Sequence, residues 1–233
     1  MSLPKIATHE EWLAARVALL DEEKALTRAR DALNTKRREL PMVRVDADYT
    51  FEGPDGTVRL VDLFAGRRQL ILYHFMFDPS WDTGCASCTA GTDELSDGFF
   101  RHLHARDTSY AMVSLAPYPK LAAYAAERGW HIPWYSSFGT SFNDDFGVTV
   151  HDGGEYNFRS AGPGIGGESP GRSCFLQVDG EVFHTYSQYA RGLEMTGGSY
   201  YFLDLTALGR QEDWEEPTGR AESAHGPTPN FAE

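Results

Sequence analysis

Residues 69–88 read QLILYHFMFDPSWDTGCASC and combine a largely apolar run with a pair of cysteines. The run, residues 69–77, predicts a strand buried in the interior of the protein. Cys85 and Cys88 follow it, and the sequence beyond them predicts a helix ending near His104. Peptide dipoles at a helix N-terminus favour a thiolate, which is the reactive form of cysteine. This placement predicts a site of thiol–disulfide chemistry at a strand-to-helix turn.

The composition excludes several classes of partner. The formal net charge of the 233 residues is −13, and an acidic protein is not attracted to phosphate backbones, so we expect no nucleic-acid partner. No apolar run approaches the roughly 20 residues that span a bilayer, and we expect no membrane partner. The first residues lack the pattern of a secretory signal. Three cysteines cannot form a disulfide framework, which favours a cytoplasmic location.

The chain divides into three predicted parts. Residues 1–41 form a helical arm, residues 42–210 a main domain, and residues 211–233 an acidic tail whose composition predicts flexibility. In the arm, Thr8 and Glu11 have the form of a capping box. Apolar residues then recur every seven positions, which is a helical pattern: Trp12, Leu19, Leu26, Leu33 and Leu40. Such a helix breaks, packs on its own domain, or joins a second subunit in a homodimer.

The main domain is predicted to alternate strands and helices. A strand at 69–77, the dithiol helix, a strand at 108–115 and a helix at 119–128 come first. Two parallel strands require such a helical crossover, and the hairpin around Asp179-Gly180 adds antiparallel strands. An aromatic and glycine-rich insertion at 130–172 precedes that hairpin. We therefore predict a thioredoxin-like α/β fold, with a central mixed sheet flanked by helices, a long N-terminal helix and this insertion.

Several stretches of the chain have the form of family motifs. The stretch Gly53–Gly66 is similar to the opening of the peroxiredoxin branch of thioredoxin-like proteins. The more specific motifs are Tyr73–Phe77, Trp81–Cys88, His104–Asp107, Gly129-Trp130, Pro133–Ser137, Phe142-Asn143, Asp145–Val148, Phe183–Ser187 and Tyr189–Gly192. Together they resemble domain-of-unknown-function family 899, a bacterial thioredoxin-like family related to the peroxiredoxins. The resemblance covers roughly residues 8–215 and implies a thioredoxin fold, while the substrate stays open.

The leading hypothesis is a thiol–disulfide oxidoreductase. Cys85, nearer the helix start, would attack a small-molecule or protein disulfide, and Cys88, one turn on, would resolve the mixed disulfide. The pair itself would be the redox group, with no further cofactor. Thioredoxins bury an acid under the dithiol. Here His74 occupies that strand, and we expect it either to serve as the base beneath the thiols or to be an ordinary core histidine.

Three further residues are candidates for substrate binding. Arg172 resembles the arginine with which peroxiredoxins stabilise a thiolate, although a surface arginine at the end of a loop would look the same. Trp81 lies between the strand and the dithiol, and Trp134 lies in the aromatic segment. That segment would line a groove near the dithiol or pack in the core.

Other hypotheses for the function of the site remain open. A copper-handling protein would use Cys85, Cys88 and His184, whereas structural zinc would need ligands that no second C-x-x-C supplies. Peroxidase activity is less favoured, because the spacing between Thr83 and Cys85 is one residue shorter than in peroxiredoxins. A further hypothesis is a non-catalytic thioredoxin-like scaffold in which the two cysteines have no redox role.

Overall fold

The computed structural model describes residues 3–196, together with residues 198, 205 and 206. The tail predicted at 211–233 lies outside the described residues. Helix α1 spans His9–Arg38, and its N-terminus has the expected capping box between Thr8 and Glu11. The helix is unbroken over 30 residues and buries none of them. Near its end, the Arg37 guanidinium lies 4.8 Å from the ring centre of Tyr186 in the main domain.

The first half of the main domain contains a hairpin, followed by the two strand–helix units that the sequence predicts. A 3-10 helix at Leu60–Phe64 follows the hairpin, and the predicted dithiol helix is divided into α2 and α3. The elements are β1 (Val43–Arg44), β2 (Thr50–Gly53), β3 (Gly56–Arg59), β4 (Gln69–His74), α2 (Ala86–Asp93), α3 (Asp97–His104), β5 (Thr108–Ser114) and α4 (Tyr118–Arg128).

The second half contains the insertion and the closing hairpin. The insertion carries short elements, and a second 3-10 helix at Ala190–Thr196 follows the hairpin. These elements are β6 (Trp134–Ser136), α5 (Phe142–Asp145), β7 (Thr149–Val150), β8 (Glu155–Tyr156), β9 (Arg159–Ser160), β10 (Gly167–Glu168), β11 (Gly171–Val178) and β12 (Glu181–Tyr189).

Eight strands form one mixed sheet in the order β1-β12-β11-β4-β5-β6-β2-β3. Strands β4, β5 and β6 are parallel and are joined by helical crossovers, whereas β11 and β12 pair antiparallel beside β4. The architecture is the predicted thioredoxin-like one. Within the described part of the chain, no helix is long and apolar enough to cross a membrane.

The two faces of β4 belong to different apolar clusters. Leu70 and Leu72 pack with Phe175 and other buried residues on one face. Tyr73 packs with Cys88 and Trp134 on the other. Successive side chains of a strand point to opposite faces, which explains this division. The dithiol helix therefore lies on the Tyr73 face of the sheet.

Candidate redox site

The connection from β4 to the dithiol is fixed by close backbone contacts. The Cys85 backbone N–H donates to the Met76 carbonyl at 3.0 Å. The preceding residue, Gly84, passes tightly over an aromatic ring, since a Cβ there would lie 2.7 Å from the Phe75 ring. The Lys120 ammonium donates to the Pro79 carbonyl at 3.0 Å in the same connection. These contacts hold Cys85 at the start of α2.

Cys85 is the N-cap residue of α2 and carries the thiol with the lower pKa of the pair. It is half-buried, and all three cysteines of the chain are free. The hydrogen bond with the Cys88 thiol lowers the pKa of Cys85 to about 6, helped by hydrogen bonds from the backbone N–H groups of Cys88 and Ser87 and opposed by burial. A thiol with this pKa is largely thiolate at neutral pH. The role of Cys85 as the attacking cysteine stays a prediction.

Cys88 differs from Cys85 in both burial and ionisation. It is only 2% exposed. The hydrogen bond with Cys85 and burial raise the pKa of Cys88 well above its ordinary value. The Tyr73 hydroxyl and the Met76 backbone oppose that rise through hydrogen bonds. Cys88 is therefore the more buried thiol of the pair and the one with the higher pKa, and its role as the resolving cysteine stays a prediction.

Tyr73 is a site residue that the sequence analysis missed. Burial, followed by the nearby Cys88, raises the pKa of Tyr73 well above its ordinary value. The hydroxyl therefore stays protonated and acts as a hydrogen-bond donor toward Cys88. The Arg172 guanidinium lies 4.6 Å from the centre of the Tyr73 ring. The sequence feature that could have indicated this role is the position of Tyr73 in the buried strand, one residue before His74.

His74 faces the side of the sheet opposite the dithiol. Its Nε2 lies 2.8 Å from the Ser173 hydroxyl oxygen, and its ring stacks on Phe142 with 5.6 Å between centroids. Burial, with a smaller effect of His184, lowers its pKa to about 3. The expectation that His74 lies beneath the thiols as a base is wrong, because neighbouring strand residues point to opposite faces. His74 is a neutral core histidine bonded to a serine hydroxyl.

Two of the expected substrate-binding residues are held by other contacts. Arg172 donates to the Leu193 carbonyl at 3.3 Å and to the Thr196 hydroxyl. Its guanidinium lies over the Tyr73 ring, and Tyr73 lies between Arg172 and Cys88. Trp134 is 4% exposed and donates its indole N–H to Ser114 Oγ at 3.0 Å. Trp134 therefore packs in the core, which is one of the two alternatives expected for the aromatic segment, and its role in substrate binding stays a prediction.

Trp81 has the position that a substrate contact would need. It is half-buried and packs against the apolar cluster that contains Cys88 and that Cys85 also contacts. Its role in substrate binding stays a prediction.

The three-ligand metal site is not assembled. His184 Nε2 lies 2.7 Å from Ser187 Oγ, and its ring contacts Phe175 on the face away from the thiols. Among the residues that the structure describes, no group of three His, Cys, Asp or Glu side chains is placed to hold a metal ion. The predicted set of Cys85, Cys88 and His184 is therefore wrong as a ligand set.

The mixed sheet, the helical crossovers and the dithiol at a helix start define a thioredoxin-like α/β protein. More particularly, the chain belongs to the bacterial protein family of unknown function DUF899, whose model matches residues 1–225. No curated protein matches the chain.

Several solved structures are similar to the chain. Peroxidoxin BcpB from Mycobacterium tuberculosis is 18% identical, with 67% of this chain and 93% of that chain covered and a TM-score of 0.47. A mutant of PrxQ from Xylella fastidiosa is 11% identical, with coverages of 66% and 90% and a TM-score of 0.46. A candidate thiol:disulfide interchange protein DsbE from Chlorobium tepidum is 14% identical, with coverages of 67% and 95% and a TM-score of 0.42. At these identities the likeness concerns the fold alone.

Proposed function

We propose that the protein is a thiol–disulfide oxidoreductase in which Cys85 is the nucleophile and Cys88 the resolving thiol. One observation supports this most strongly, namely the asymmetry of the pair. Cys85 is half-buried and has a lowered pKa, whereas Cys88 is 2% exposed and has a raised pKa. A low-pKa, partly exposed cysteine beside a second thiol is the arrangement typical of reactive cysteines that form disulfides.

In the first step, the Cys85 thiolate attacks one sulfur of a substrate disulfide. A bond forms between Cys85 Sγ and that sulfur, the substrate S–S bond breaks, and the second substrate sulfur leaves as a thiolate. The lowered pKa of Cys85 supplies the attacking thiolate near neutral pH. Trp81, half-buried beside the same cluster, is the candidate contact for the substrate.

In the second step, Cys88 loses its proton and attacks Cys85 Sγ. The Cys85–Cys88 disulfide forms, the mixed disulfide breaks, and the remaining substrate sulfur leaves and ends as a thiol with the proton from Cys88. The Tyr73 hydroxyl donates a hydrogen bond to the developing Cys88 thiolate. Tyr73 cannot be the base, since its own pKa is raised well above the ordinary value.

The whole cycle transfers two electrons. The dithiol is oxidised to a disulfide while one substrate disulfide, from a small molecule or a protein, is reduced to two thiols. An external dithiol donor then returns the enzyme to its reduced form. A reducing compartment such as the cytoplasm suits this direction of electron flow.

A trapping experiment tests the assignment of roles. The Cys88→Ser variant is mixed with a small aromatic disulfide, and intact-mass and peptide-mass spectrometry locate the adduct. We expect one stable adduct on Cys85, because the resolving thiol is missing. The Cys174→Ser variant is the matched control and should release both aromatic thiols without retaining an adduct. An adduct on Cys174 in the Cys88→Ser protein, or no adduct on Cys85, would contradict the proposal.

A further inference from the structure

Helix α1 carries an apolar stripe that the described part of the chain leaves uncovered. The helix buries no residue, and its leucines and tryptophan at seven-residue intervals are all solvent-exposed. Exposure is 55% for Trp12, 50% for Leu19, 62% for Leu26 and 50% for Leu33. Isolated exposed apolar side chains are ordinary, but a continuous stripe along a helix marks an interaction surface. A seven-residue repeat is the spacing at which two helices supercoil around each other.

The charges of α1 are divided between its two halves. Residues 9–23 contain five acidic residues and one basic residue, a net charge of −4. Residues 24–38 contain six basic residues and one acidic residue, a net charge of +5. A second α1 lying antiparallel would place each acidic half against a basic half. A parallel helix would instead place like charges together.

We propose that α1 is a dimerisation arm that pairs antiparallel with α1 of a second copy of this chain. A two-fold axis near the middle of the helix makes the stripe and both charged halves self-complementary. A helix of 30 residues is about 45 Å long and about 10 Å wide. Full overlap of two such helices would cover about 450 Å² on each, or about 900 Å² together, which is just below the roughly 1,000 Å² lower limit for a stable interface and fits a dimer that dissociates on dilution.

The second copy fits this surface better than the chain's own acidic tail. Residues 211–233 carry a net charge of −5 and would match only the basic half of the helix. Near its C-terminal end, α1 is anchored to the main domain, where Arg37 lies over the Tyr186 ring. Within the part of the chain that the structure describes, the rest of the stripe is solvent-exposed and can receive a partner helix. This proposal is independent of the redox function.

Sedimentation equilibrium of the full chain over a concentration series tests the dimer. We expect a mass twice the chain's 26.0 kDa. Leu26→Lys should raise the dissociation constant by about 100-fold, because the substitution occurs twice in a two-fold interface. The matched control is Val17→Lys: Val17 is 51% exposed, similar to the stripe residues, but lies roughly 140° around the helix from Trp12. The Val17→Lys variant should have the same dimer dissociation constant as the wild type.

A monomeric mass for the wild-type chain at every concentration would overturn the proposal. The stripe would then be covered by the chain's own tail or by a different protein, and not by a second copy. Equal weakening by Val17→Lys and Leu26→Lys would overturn the stripe as the interface. Circular dichroism of each variant confirms that the helix is retained.

A charge exchange tests the orientation. Glu10→Lys and Arg38→Glu should each weaken the dimer a few-fold, since each places like charges opposite one another in an antiparallel pair. The double variant restores opposite charges and should recover most of the wild-type affinity. A double variant no tighter than the single variants would overturn the antiparallel arrangement.

Discussion

The hydroxyl of Tyr73 gives the most specific prediction for the redox site. Tyr73→Phe removes only that hydroxyl and keeps the ring on which the Arg172 guanidinium rests, 4.6 Å from its centre. The ring is 5% exposed, so the substitution leaves the packing of the cluster around Cys88 in place. The variant therefore isolates the hydrogen bond that lowers the pKa of Cys88.

The size of the effect follows from the charge of the acceptor. A hydrogen bond to a charged group contributes about 1.5–3 kcal/mol, so its loss should raise the pKa of Cys88 and lower the thiolate fraction of Cys88 by about 10- to 100-fold. A thiolate of higher pKa is also a stronger nucleophile, and this offsets a little under half of the loss on a logarithmic scale. We expect the resolving step to slow by about 4- to 15-fold.

Stopped-flow mixing with a small aromatic disulfide separates the two steps, because each releases one coloured thiolate. Tyr73→Phe should slow the second release and leave the first, which reports attack by Cys85, unchanged. Tyr110→Phe is the matched control: it removes another buried tyrosine hydroxyl from the same cluster. A second release as fast as in the wild type, or slowed equally by Tyr110→Phe, would refute the role of Tyr73.

Four other variants give measurable outcomes. Cys88→Ala removes the largest cause of the lowered pKa of Cys85, so the midpoint of its alkylation rate against pH should rise from about 6 toward the ordinary thiol value. Cys88→Ser, which retains a donor, should move it less. His74→Ala should leave that alkylation profile unchanged but lower the free energy of unfolding in urea by about 2–4 kcal/mol, from the cavity and the lost hydrogen bond to Ser173, whose hydroxyl keeps Ser187 as its other partner. A shift in the pH profile of Cys85 alkylation would indicate that His74 does influence the dithiol. Gly84→Ala should cost about 1–3 kcal/mol in the same urea measurement, because its Cβ would meet the Phe75 ring at 2.7 Å. A free energy of unfolding equal to that of the wild type would contradict the close approach of Gly84 to the Phe75 ring.

The sequence carried enough information for the order of elements and for the dithiol. Turn residues such as Asp179-Gly180 marked the closing hairpin, and the apolar run at 69–77 marked the central strand. The capping box marked the start of α1. These signals are local, since each depends on residues within one turn or one strand.

The face on which each residue of β4 lies could not be predicted from the sequence. A strand buried on both faces shows no alternation of polar and apolar residues, so the phase is not visible. A shift of one position exchanges the two faces, and for that reason His74 was expected where Tyr73 lies. The core position of Trp134 depends on the pairing of β6 with β5, a long-range contact that no local pattern reports.

A redox titration of the purified protein tests the central claim most directly. The protein is equilibrated in buffers of defined thiol–disulfide potential, and free thiols are counted by alkylation and mass spectrometry. We predict that Cys85 and Cys88 lose their thiols together in one reversible two-electron transition at about −200 to −300 mV, the range of dithiol enzymes, while Cys174 stays free. A pair that never forms a disulfide, or that oxidises one thiol at a time without reversal, would contradict the account.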